Sequence, residues 1–141
     1  MKRYYLAYGS NLNINQMRFR CPTARLIGTA VIKDYGLLFR GSKTGSYLTI
    51  EPKQGASVPV AVWTIEKEDE GYPAFYYKKE MTVTVTGIRS GKKRVRTAFA
   101  YIMHEDRPPG VPTMQYISTC MYGYRNFGFD TEILFDAVRR S

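Results

Sequence analysis

The chain has 141 residues, 44% hydrophobic and 14% aromatic, which suits one folded domain with its own core and excludes a disordered chain. Its formal net charge of +9 is compatible with nucleic acid, an acidic partner or plain solubility. No apolar run reaches the roughly 18 residues of a membrane span. No secretory segment follows Met1-Lys2-Arg3, and Cys21 and Cys120 match no metal-ligand spacing, so a cytoplasmic, reducing setting without a metal is expected.

In chain order, residues 3–8 read as a first strand, running into the turn Tyr8-Gly9-Ser10-Asn11. Asn13 or Asn15 is placed to cap a short helix over 14–20, ended by Cys21-Pro22, with Met17 facing the core. Residues 24–40 carry mixed apolar and β-branched positions, giving one long bent strand or two, with Gly36 as the break. Strands follow at 46–51 and 58–65, separated by a turn at Pro52–Gly55. Residues 58–65 alternate as a half-buried strand should, 75–87 repeat that pattern through Met81, Val83 and Val85, and 94–103 returns to strand after a hairpin loop over 87–93. His104–Pro112 is a proline-rich loop. Helical spacing then covers 113–124, with Ile117, Cys120, Met121 and Tyr124 on one stripe. A last helix at 131–139, with Asp130 as N-cap, turns Ile133, Leu134, Phe135 and Val138 inward. The tally predicts a single α+β domain over 1–141: a small mixed, mostly antiparallel β-barrel with a few short peripheral helices.

Three segments carry candidate chemistry. A strand that runs into Tyr8-Gly9-Ser10-Asn11 offers successive backbone N–H groups to an anionic or carbonyl oxygen, although Gly-Ser-Asn is also ordinary turn chemistry. The acidic run Glu66-Lys67-Glu68-Asp69-Glu70-Gly71-Tyr72-Pro73 is a surface turn, or it holds a carboxyl group that aromatic neighbours tune for acid/base work. Prolines 108, 109 and 112 stiffen the entry to a helix whose Tyr116 faces either a pocket or the core. His104 has no Ser or Cys partner motif, which speaks against a triad. The twelve tyrosines favour strands and polar pocket walls. The basic tip Lys92-Lys93-Arg94-Val95-Arg96 lacks any accompanying nucleic-acid signature and reads as a solvated turn.

These pieces stand in a recognisable order. Tyr5-Leu6-Ala7-Tyr8-Gly9-Ser10-Asn11-Leu12 leads to Met17-Arg18-Phe19-Arg20-Cys21-Pro22-Thr23-Ala24. Asp34-Tyr35-Gly36-Leu37-Leu38-Phe39-Arg40-Gly41 and Leu48-Thr49-Ile50 follow. Then come Glu70-Gly71-Tyr72-Pro73-Ala74-Phe75-Tyr76, Ala100-Tyr101-Ile102-Met103, Pro112, Tyr116 and Gly123-Tyr124. Over about 5–127 the chain resembles the γ-glutamylcyclotransferase-like family. The resemblance implies a small barrel with a pocket at one end and no metal or organic cofactor. It implies cyclisation of a γ-glutamyl group to 5-oxoproline with release of an amine or amino acid, as in glutathione metabolism. By motif position it implies that Tyr8, Gly9, Ser10, Asn11 and Leu12 cradle the glutamyl moiety. Glu70 would be the acid/base, and Tyr76 and Tyr116 would line the pocket. The family's acidic helical turn before the Glu-Gly is shortened here to Glu66-Lys67-Glu68-Asp69, which leaves Asp69 or Glu68 as substitutes for Glu70.

Two rival readings stand beside the enzyme. One is a ligand-binding module of the same fold without turnover. The other is a nucleic-acid or acidic-protein partner using the 92–96 tip. The leaving group of the enzyme reading is open among an amino acid, a peptide, an isopeptide-linked lysine and a simple amine.

Overall fold

The apolar stretch after Lys2-Arg3 forms strand β1, Lys2–Ala7, with Tyr5, Leu6 and Ala7 buried. The remaining strands are β2, Arg25–Ser42; β3, Gly45–Glu66; β4, Tyr76–Gly87; and β5, Lys93–Met103. In this computed structural model, which describes residues 2–42, 45–66 and 76–141, they close a barrel in the order β1-β3-β2-β4-β5. All pairings are antiparallel except the closing one, where β1 runs parallel to β5 through Tyr5 and Phe99. Closure removes the exposed edges that would otherwise invite association with another chain.

Gly36 does not break β2. It pairs with Glu51, and the ladder is interrupted between Lys33 and Tyr35 instead. There Asp34 takes the left-handed conformation (φ 61°), which Asp tolerates better than branched residues, and its side chain accepts from the Gly55 amide at 3.0 Å. The expected turn at Pro52–Gly55 is therefore not a chain reversal. β3 continues through it as an irregularity opposite Asp34, because the Asp34 carboxylate bonds the Gly55 backbone where a ladder partner would stand.

Helix α1, Ile14–Arg20, starts at Asn13, whose side chain accepts from Gln16 N, and it buries Met17. Helix α2, Met114–Phe127, is capped by Thr113 and buries Cys120, Met121, Gly123 and Tyr124. It packs on the 3-10 turn Ser10–Leu12 at the end of β1. That contact needs Gly123, since a Cβ there would stand 2.5 Å from Leu12 Cβ. Helix α3, Thr131–Arg139, is capped by Asp130 and buries Leu134 and Ala137. Phe135, expected inward, is 39% exposed, because Ala137 lies three positions from Leu134 on the buried stripe and Phe135 does not.

Candidate active site

The loop that follows β1 stands over one mouth of the barrel and forms part of a cavity of about 600 Å³. Three sequence-expected groups meet there: Tyr8, Gly9, Ser10 and Asn11 from the loop, Tyr76 from the start of β4, and Tyr116 from α2. Leu12 does not join them. It is fully buried under Gly123, and its amide already donates to Gly9 O at 3.0 Å. The Asn13 amide is likewise used, by Ser10 O. The Ser10 and Asn11 amides open the 3-10 turn, so they have no acceptor within it.

Each wall is fixed by bonds of its own. The Tyr8 hydroxyl donates to Tyr101 O at 2.5 Å, joining the ends of the two parallel strands. Asn11 Nδ2 donates to the Tyr5 hydroxyl at 2.8 Å. The Tyr116 hydroxyl accepts from Leu48 N at 3.2 Å, and the Tyr76 hydroxyl donates to Leu48 O at 3.3 Å. Tyr116 also packs edge-on against Tyr47 and Phe39, with centroids 5.2 and 6.2 Å away. It is thus both a packed tyrosine and a cavity wall. Gly9 permits this closeness, since a Cβ there would stand 3.1 Å from the Tyr116 hydroxyl. Upstream of α2, the proline loop is pinned to β2 by Gly41 N donating to Pro108 O at 2.7 Å and by Arg40 donating to Arg107 O at 2.9 Å.

The phenols of the lining are neutral. Burial, above all, pushes Tyr8, Tyr76, Tyr116 and Tyr5 above the ordinary tyrosine value. They therefore act near neutral pH as hydrogen-bonding groups and not as anions. Burial also pushes the Cys120 thiol up to about 12, which removes it as a nucleophile. Cys21 is half-buried at the end of α1. His104 lies in the exposed loop, tilted against Tyr77 with ring centroids 5.1 Å apart, and does not line the cavity. Among the described residues no cluster of His, Cys, Asp or Glu is arranged to hold a metal ion.

Arg20 is the one charged side chain among the described cavity residues. Its Nη1 donates to Asn11 Oδ1 at 2.8 Å and reaches Ser10 Oγ at 3.5 Å. Sequence reading passed over it, as it passed over the lining residues Tyr5, Tyr47, Tyr101 and Gln16. A usable signal existed: Gln16 and Arg20 stand four apart, hence on one face of α1. Glu70 lies outside the described residues, as do Glu68, Asp69 and the stretch Gly71-Tyr72-Pro73-Ala74-Phe75.

The fold and the cavity define a small-barrel protein with a small-molecule pocket at one mouth. The family model described as gamma-glutamyl cyclotransferase, AIG2-like, matches residues 5–120, and the chain belongs to that family. A solved structure titled gamma-glutamyl cyclotransferase is similar at 25% identity and TM-score 0.81, covering 97% of this chain and 86% of the other. An uncharacterized protein from Homo sapiens is similar at 27% identity and TM-score 0.79, covering 96% and 86%. YkqA from Bacillus subtilis, at 17% identity and TM-score 0.75, shares the fold over 99% of this chain and 54% of its own. No curated protein matches. Among the described residues no helix is long and apolar enough to cross a membrane.

Proposed function

We propose that this protein is a γ-glutamyl cyclotransferase, which converts a γ-glutamyl group to 5-oxoproline and releases an amine or amino acid. One observation carries the reading: the loop, Tyr76 and Tyr116, separated by up to about a hundred residues in sequence, line a single cavity in a chain that belongs to this family. The similar structure titled gamma-glutamyl cyclotransferase supports it.

The chemistry requires little beyond positioning. The substrate's α-amine attacks its own γ-carbonyl, so holding the chain folded supplies the effective molarity and no protein nucleophile is needed. In this reading the amides of Ser10 and Asn11 receive the glutamyl carboxylate or the developing oxyanion, and the tyrosine hydroxyls hold the remaining polar atoms. The α-ammonium must lose a proton and the leaving nitrogen must gain one. A single carboxyl group serves both steps, and Glu70 is assigned that role by its motif position. The shortened acidic stretch before Glu70 favours a second reading, a binding module of the same fold that lacks turnover.

The test is 5-oxoproline formation from γ-glutamyl amino acids, γ-glutamyl amines and glutathione, beside Glu70→Gln. The expected result is product from the wild type and a loss on the order of 100-fold or more in the variant, with 5-oxoproline binding retained. Binding without turnover in the wild type would select the second reading. Unchanged turnover in Glu70→Gln would remove Glu70 from the mechanism and direct the search to Asp69 and Glu68.

A further inference from the structure

We infer that Arg20 forms an anion subsite at the cavity mouth that takes the carboxylate of the leaving amino acid, so that γ-glutamyl amino acids are preferred to γ-glutamyl amines. The inference rests on the γ-glutamyl reading and specifies the leaving group that the reading leaves open.

Arg20 is placed for such a role by the helix that carries it. Burial of Met17 and the Asn13 cap fix α1, and the last turn of that helix brings the guanidinium back across to Ser10 and Asn11. Among the described residues the charge has no carboxylate partner. Arg3, Arg40, Arg139 and Arg140 each face a carboxylate, on Glu80, Glu51, Glu132 and Asp136 respectively. Arg20 faces none among the described residues: its Nη1 donates to the neutral oxygens of Asn11 and Ser10, and the Gln16 amide oxygen, turned to the guanidinium, accepts from Nη2 at 2.7 Å. A guanidinium carries five N–H donors, so with Nη1 and one Nη2 hydrogen taken the Nε–Nη2 edge remains for a ligand.

Position along the cavity assigns the part of the ligand it meets. Tyr8 and Leu48 are buried, whereas Arg20 is exposed. A γ-glutamyl group folded for cyclisation belongs among the buried tyrosines, next to the Ser10 and Asn11 amides. The group being released then points to the mouth, where Arg20 stands. An α-carboxylate there gains a charge-assisted pair, an uncharged alkylamine gains nothing, and a cationic tail is repelled.

The experiment compares γ-glutamyl-alanine with γ-glutamyl-ethylamine, which differ at the leaving group by that carboxylate. Wild type, Arg20→Gln and Arg20→Lys are assayed for 5-oxoproline release, and 5-oxoproline binding is measured by calorimetry. Arg20→Gln should raise KM for γ-glutamyl-alanine about tenfold and leave the ethylamine substrate and 5-oxoproline affinity within about twofold. Arg20→Lys should recover part of the alanine preference, and the preference should shrink as salt screens the exposed charge. Equal losses for both substrates and for 5-oxoproline would overturn the inference, leaving Arg20 on the glutamyl carboxylate or on loop placement. Folded wild type that neither binds nor turns over any of the three compounds would instead remove the γ-glutamyl reading, and the inference with it.

Discussion

The two ends of β4 present contrasting surfaces. At its start, Tyr76 faces a cavity whose described lining is rich in tyrosine and carries a single charge, Arg20. Eleven residues later, about 35 Å along an extended strand, Gly87 enters a hairpin tip where Arg89, Lys92, Lys93 and Arg94 are all exposed. The tip end is tightly paired. Gly28 packs so closely on β4 that a Cβ there would stand 2.3 Å from Thr86 O. The cavity end is spaced by aromatic rings and by a loop held off the strand ladder. The densest run of cations thus sits away from the pocket, and net charge is a poor guide to where a ligand enters. Dispersed surface cations need only water, whereas a pocket needs rigid walls that leave space between them.

A pair of glycine substitutions puts the contrast under the most strain. Gly28→Ala forces β2 and β4 apart and should cost about 3 kcal/mol, a fall in Tm on the order of 10 °C, with 5-oxoproline affinity intact once the protein is folded. Gly9→Ala meets only the end of a tyrosine side chain, so stability should change by about 1 kcal/mol or less, while 5-oxoproline affinity falls about tenfold. Thermal melts and calorimetry on both variants check this. Identical profiles for the two would show that the ends are not functionally distinct.

Alkaline pH gives a smaller effect. Burial raises the folded-state pKa of Tyr8 well above its ordinary value of 10.0. The unfolded chain therefore loses this proton first as pH rises. Stability from the buried phenol is complete below about pH 10 and is lost as pH climbs from there through the folded value. The melting temperature of Tyr8→Phe should fall less steeply above pH 10 than that of the wild type; parallel curves would contradict the burial argument.

The smallest effect belongs to the tip. Replacing Lys92, Lys93 and Arg94 together by Gln should change stability by about 0.5 kcal/mol or less and leave turnover of γ-glutamyl substrates unaltered. A marked loss of turnover would tie the two ends of β4 together after all.

Much of this molecule follows from its sequence. Strands stand at 58–65, 76–87 and 94–103 as expected, but only β4 shows the two-residue alternation, at Val83 and Val85, whereas Val58–Trp63 of β3 is buried on both faces. Asn13, Thr113 and Asp130 cap the three helices through local side-chain bonds, which neighbouring residues suffice to specify. The ordered motifs also pointed to the family and to Tyr8, Gly9, Ser10, Asn11, Tyr76 and Tyr116 in the cavity. Tertiary structure decided the rest. Whether the chain breaks at Gly36 or Asp34 depends on a bond to Gly55, a residue on the paired strand. Leu12 lies under Gly123 and not in the cavity, and Phe135 yields the core to Ala137, because packing partners choose which face of an element is covered. Arg20 became a cavity residue only when α1 folded back on the loop ten residues before it. A periodic pattern encodes what a segment is, but the walls of a cavity come from separate segments whose proximity exists only after the barrel closes.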